Sequence, residues 1–204
     1  GYVSSTPYTK LYYDATYTKS NTLAKESQDV IKNLDGDLTI TTYVNLMDED
    51  LYSGLPRNRN NDFKRFEKYY RFKPDIKMKY VYYYDKANNS SLEWRFPNKT
   101  FEERVELLCQ ANKLNRKMFM TPEEIKEIID LTPEHNKFIR IVERENGQKA
   151  YLRMFNDNEK HPAEAEISAT LKRFISPSPM VAFSIGYGSR EIDNYGGRGL
   201  SRRP

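Results

Sequence analysis

The chain has 204 residues, a mean hydropathy of −0.85 and 30% charged residues, which is length enough for one good core or for one domain and part of another. An aromatic content of 13%, with 16 Tyr, excludes a disordered chain, and a net charge of +4, from 33 basic and 29 acidic residues mixed along the sequence, is no nucleic-acid footprint. No apolar run approaches the ~20 residues of a membrane span, the opening "GYVSSTPYTK" has no signal-peptide pattern, and the single Cys109 excludes an internal disulfide.

Residues 1–21 are rich in Tyr and Thr without a period and read as an extended lead-in. Leu23, Val30, Ile31 and Leu34 fall on one helical face, and a "DGD" turn ends that helix. "DLTITTYVNL" then alternates, with Leu38, Ile40, Thr42, Val44 and Leu46 on one side of a strand. A polar loop, "MDEDLYSGLPRNRNND", leads to a helix in which Phe63, Phe66 and Tyr70 recur and Asp62 is the expected N-cap. Pro74 closes it. "IKMKYVYYYD" is a second strand, with Ile76, Met78, Tyr80 and Tyr82 on one side and Val81 and Tyr83 on the other.

After a linker of about 15 residues that holds Trp94 and Phe96, Thr100 and Glu103 form a capping box for a helix lined by Phe101, Val105, Leu108 and Cys109. Thr121, Pro122 and Glu124 start another helix in the same way, with Ile125, Ile128 and Ile129 inward. "KFIRIVERENGQKAYLRMF" reads as two strands around a two-residue Asn-Gly turn with positive φ. A final helix turns Ile167, Leu171, Phe174 and Ile175 inward, "SPSP" breaks it, and "MVAFSIGYG" begins a further strand.

This order, a leading helix, β-α-β, helices, a hairpin and a closing helix, predicts an α/β thioredoxin-like three-layer sandwich over residues 22–176 with a mixed four-stranded sheet. A ferredoxin-like or other α/β sandwich is the alternative. The stretch after the first strand, where a thioredoxin-like fold carries its dithiol, holds no cysteine, so the redox motif is lacking. Cys109 reads as a small buried hydrophobe. His135 and His161 each sit beside proline without partners at the spacing of a metal site or triad. Asp48, Glu49 and Asp50 have the chemistry of an acid–base pair or a hard-cation site, against the plainer expectation of a solvated loop. Gly186 and Gly188 lack a following helix to complete a phosphate cradle. No catalytic residue, cofactor or metal is therefore expected. An aromatic platform of Tyr82, Tyr84 and Trp94, with Tyr80 and Tyr83 alongside, is the candidate ligand surface, of the kind that stacks on sugar rings, weighed against ordinary core packing.

"YYDATYTKSNTLAKESQDVIKNLDGDLTITTYVN", with Asp14, Thr16, Thr22, Leu23, Leu34, Asp35, Ile40 and Tyr43 in place, resembles the opening of the extracytoplasmic region of GldG-type proteins, the ABC-transporter auxiliary family linked to gliding motility in Bacteroidetes. "GLPRNRNNDFKRFEKYYRF" is similar to that family's next helix, and "AEAEISATLKRFISPSPMVAFSIGYGSRE" to its helix, break and strand before a Gly-His-Gly-Glu loop. The likeness covers roughly residues 11–85 and 162–191. Tyr187 and Ser189 stand where the family has His and Glu, so no functional residue is carried over. The resemblance implies a non-catalytic, extracytoplasmic domain on the periplasmic face of the inner membrane, anchored through segments outside this chain. It implies partner contact with an ABC-transporter permease or other membrane-complex subunits, and a second α/β domain beginning within residues 177–204.

Overall fold

A computed structural model describes residues 22–152 and 160–176. The expected lead-in 1–21, the expected second-domain start 177–204 and its Gly186–Gly188 turn lie outside the described residues. Strands β1 (Leu38–Asn45), β2 (Ile76–Tyr83), β3 (Ile139–Arg144) and β4 (Lys149–Leu152) form one sheet in the order β2-β1-β3-β4. β1 pairs with β2 in parallel, Leu38 opposite Ile76 and Asn45 opposite Tyr83. It pairs with β3 antiparallel, Leu38 opposite Arg144, and β3 pairs antiparallel with β4. The fold is thus α/β with the expected mixed four-stranded sheet.

Helices α1 (Lys25–Lys32), α3 (Arg59–Tyr70) and α7 (Glu164–Ile175) bring Ile31, Phe66, Tyr69, Ile167, Leu171 and Phe174 onto Leu38, Ile40, Ile76, Val142 and Leu152 of one sheet face. The opposite face packs Tyr43, Tyr83, Ile139 and Ile141 against Ile125 of α6 (Pro122–Ile128) and against Leu131. A third cluster extends the first face beyond the strand ends. There Val44, Leu46 and Tyr82 meet α2 (Leu51–Gly54), α4 (Ser90–Arg95) and α5 (Phe101–Asn112) through Leu51, Leu92, Val105 and Cys109. Both capping boxes form, Thr100 with Glu103 and Thr121 with Glu124, each hydroxyl accepting from the third helical amide while the carboxylate takes the cap N–H. Among the described residues no helix is long and apolar enough to cross a membrane.

Several expectations are corrected. α3 starts at Arg59, so Asp62 lies inside the helix on its buried face, and Phe63 is 40% exposed, beside rather than on that face. The polar loop after β1 holds α2, because Leu51 and Leu55 have the third cluster to enter. The linker before α5 holds α4, which Asn89 caps by accepting from the Leu92 amide. Ile128 and Ile175 are exposed at helix ends. The hairpin forms, but with a three-residue loop: Gly147 N–H donates to Arg144 O, Arg144 N–H donates to Gln148 O, and Gly147 alone in the turn takes positive φ, +83°. That is a type I turn followed by a glycine bulge, a hairpin in which Asn146 need not be left-handed.

Candidate functional site

Parallel β1 and β2 end together, and β3 begins at that same end. In an open α/β sheet the carboxyl ends of the strands are where loops converge and where ligands bind. Three loops meet here, those after β1, after β2 and before β3. Asn45, the last residue of β1 and fully buried, joins them. Its Nδ2 donates to Asp85 O and to Asn136 O, both at 2.9 Å, and its Oδ1 accepts from the Met47 and Asp85 amides, both at 3.1 Å. All four hydrogen-bonding positions of the amide are thereby used.

The neighbouring polar groups are tied in similarly. Asn89 Nδ2 donates to Met47 O at 3.0 Å while its Oδ1 caps α4. Asn136, with φ +53°, follows His135 at +57°, a left-handed pair that turns the chain into β3. Its carbonyl accepts from Tyr83 Oη at 3.2 Å, and its Nδ2 donates to Lys86 O at 3.0 Å. Asp48, 4% exposed, accepts from the Phe138 amide at 2.6 Å and so fastens the loop after β1 to the loop before β3. Burial raises its carboxyl above the usual range, against the lowering effect of the Phe138 N–H. The expectation of a solvated acidic loop is corrected for Asp48. Glu49 is exposed and Asp50 pairs with Lys160 at 3.1 Å, so the three acids do not converge. Among the described residues no group of His, Cys, Asp or Glu is arranged to hold a metal ion.

Beside this knot lies a cleft of about 410 Å³ floored by Met47, Ala87, Leu92 and Phe101 and rimmed by Lys86, Glu93, Lys99 and Arg104. Lys99 is held by Glu103 at 3.0 Å and Arg104 Nε donates to Phe96 O at 3.1 Å, so two of its cations already have partners.

The aromatic residues do not assemble into an exposed platform. Tyr82 and Tyr84 are buried, at 6% and 5%, and Trp94 is 84% exposed on α4. Tyr82 Oη donates to Gly54 O at 2.7 Å and accepts from Arg59 Nε at 3.0 Å; Tyr84 Oη accepts from Arg116 at 3.3 Å. These are core tyrosines with anchored hydroxyls. Cys109 is buried as expected, and burial raises its thiol.

A second polar centre escaped the sequence reading. Arg140 of β3 is 1% exposed and its guanidinium donates to Asp62 Oδ1 at 2.6 Å. Tyr80 Oη donates to Asp62 Oδ2 at 2.7 Å, and burial, then Asp62, hold that phenol well above its usual range. The guanidinium lies over the Phe138 ring at 4.8 Å. His161 packs edge-on to Phe66, centroids 4.7 Å apart, and burial followed by the Arg140, Arg65 and Lys68 charges brings its pKa down to about 3. The signal was present: Asp62 precedes Phe66 and Tyr69 by four and seven residues, one helical face. Arg140 shares strand parity with the buried Val142.

The class defined by these features is an α/β domain whose sheet mouth is closed on itself by side chains directed at its own backbone and whose buried Arg140 is paired with Asp62. Compared with known proteins the chain has no match: no family model fits it, no curated protein is similar to it and no solved structure matches it.

Proposed function

We propose that this chain is a thioredoxin-like domain without the redox motif, an extracytoplasmic part of a membrane-anchored ABC-transporter auxiliary component that acts by contact with the permease or other membrane-complex subunits. What supports the reading is the resemblance of residues 11–85 and 162–191 to GldG-type proteins together with one structural observation. At the end of the sheet where an α/β protein places its chemistry, Asn45, Asp48, Asn89 and Asn136 are all directed at the chain's own backbone. A mouth closed in this way fixes loop shape, and fixed shape is what a contact surface needs. The site then lies at the inner membrane's periplasmic face, with the anchor outside this chain.

The test is direct binding of the purified chain to the purified ABC permease encoded beside it, in detergent, by light scattering or interferometry. A saturable, stoichiometric complex is expected. A permease that binds the full-length parent protein equally well with and without residues 22–176 overturns the proposal.

A further inference from the structure

Charge is distributed unevenly over this domain. From Arg57 to Lys79 there are nine Lys or Arg against three Asp or Glu, a net +6, whereas the whole chain is +4 and the remainder is therefore net acidic. This segment is α3 and β2, and β2 is an edge of the sheet.

The direction of the edge's hydrogen-bonding groups follows from its upper end. Tyr82 O accepts from Met120 N–H at 2.9 Å and Tyr84 N–H donates to Met120 O at 3.1 Å, on the side away from β1, while Tyr83 O faces β1 and accepts from Leu46 N–H at 2.9 Å. Even-numbered residues of β2 therefore point their N–H and C=O outward. Met120 covers only the last of them, in a parallel bridge to Tyr83. Among the described residues nothing pairs with the outward groups of Met78 and Tyr80.

We propose that this open part of the β2 edge takes an extended acidic segment of a partner protein as a fifth strand. The inference rests on the partner-contact reading above and supplies its surface. A strand added here meets alternating environments. On one sheet face are Lys77 and Lys79, both exposed; Lys77 also pairs with Asp37, while Lys79 has no acidic partner among the described residues. On the other face is the Tyr80 ring, edge-on to exposed Phe63 at 6.4 Å and under the Arg59 guanidinium at 4.9 Å. The fitting sequence alternates Asp or Glu with apolar residues, backbone hydrogen bonds supplying affinity and side chains specificity. A second copy of this chain is a poor occupant. Antiparallel self-pairing about Met78 brings Lys77 and Lys79 of both copies together, and like charges across a strand pair are unfavourable.

The test uses the full chain and a blocked seven-residue peptide alternating Asp and Val, with the Lys–Val peptide as control, read by amide hydrogen exchange and NMR shifts. Expected are saturable binding of the acidic peptide, slowed exchange at the Met78 and Tyr80 amides, and about tenfold weaker binding by K77E/K79E. Lys79→Glu alone keeps the test readable if the double variant folds poorly. Met78 and Tyr80 amides already protected in the free chain, or peptide binding that leaves them unchanged, overturns the proposal. If K77E/K79E binds the permease at wild-type strength, the edge is not the contact although partner contact stands. If the peptide docks but the permease never binds, the edge stands and the proposed function falls.

Discussion

Replacing Asn45 with Ala tests whether the end of the sheet is held by one side chain. The substitution removes four hydrogen bonds at once and leaves the Asp85 carbonyl and the amides of Met47 and Asp85 buried without partners, while the Asn136 carbonyl keeps Tyr83 Oη. At about 1 kcal/mol for each of the three stranded backbone groups, the low end of the usual range, the loss is about 3 kcal/mol. Against a stability of about 5–15 kcal/mol for an ordinary domain this is a large fraction. Urea unfolding followed by tyrosine fluorescence measures it: with a slope near ~2 kcal/mol/M the midpoint falls by about 1.5 M with no change in slope. Asn45→Asp separates hydrogen bonding from packing, because the carboxylate keeps the shape and the two accepted bonds but turns both donated bonds into repulsion with carbonyl oxygens. It is expected to be as harmful as Asn45→Ala at pH 7. Hydrogen exchange should quicken at Met47 and Asp85 in both. A loss under about 1 kcal/mol for Asn45→Ala, below what even one stranded group costs at the middle of its range, refutes the reasoning, because water would then be satisfying groups that the fold is argued to keep dry.

Three further outcomes are expected. Arg140→Met leaves Asp62 buried with only the Tyr80 hydroxyl among the described donors and should cost about 3–5 kcal/mol; adding Asp62→Leu should recover most of it, and additive losses in the thermal-melt cycle would sink the account. His161 lies near 3 in the fold against 6.5 ordinarily, so the unfolded chain takes its proton first: its contribution is complete above pH 6.5 and is lost as pH falls towards 3. Between pH 8 and 5 the wild type should lose about 2 kcal/mol more than His161→Leu in chemical denaturation, and parallel pH profiles would contradict this. Gly54→Ala puts a Cβ 2.9 Å from Phe138 Cε2 and closer still to the Val44 methyls, so about 1–3 kcal/mol should be lost, with Val44→Ala partly restoring the double variant; a neutral Gly54→Ala shows that α2 shifts freely.

What could be read in the sequence is what local chemistry decides. The parity of β1 and β2 and the two Thr–Glu boxes depend on residues within a few positions of one another, and each is found where periodicity put it. Asn-Gly announced the hairpin, but its loop length depends on the register of Glu143 with Lys149, which is set by β3 pairing with β1. The spacing of Asp62 to Phe66 and Tyr69 puts it on the buried face of its helix, but the arginine it meets there is 78 residues away, beyond what local pattern shows. Asn45 is one polar residue in an alternating strand, and three of the four groups it joins lie 40 or 91 residues further along the chain. The tyrosines of β2 show the same limit. Their spacing leaves a ligand platform open beside core packing, and the fold decides for packing: Tyr80, Tyr82 and Tyr83 use their hydroxyls to reach Asp62, Gly54 and Asn136 inside the fold.

The two polar centres and the basic edge form one arrangement. Arg140 and Asp62 join β3 to α3, and Tyr80, on the same carboxylate, extends that tie to β2. Arg59 and Phe63, on the same helix as Asp62, sit over and beside the Tyr80 ring, so the side chains that flank the open edge are placed by the buried pair behind them. Asn45 and Asp48 fix the other end, holding the loop after β1 to Asp85, next to Tyr84 where Met120 pairs with β2, and to Phe138 just before β3. Polar residues inside this domain therefore act on the position of its surface. If so, Arg140→Met with Asp62→Leu, even where stability is restored, should leave the Phe63 ring less ordered and weaken docking at β2, because the anchor of α3 against the sheet has become apolar and less directional.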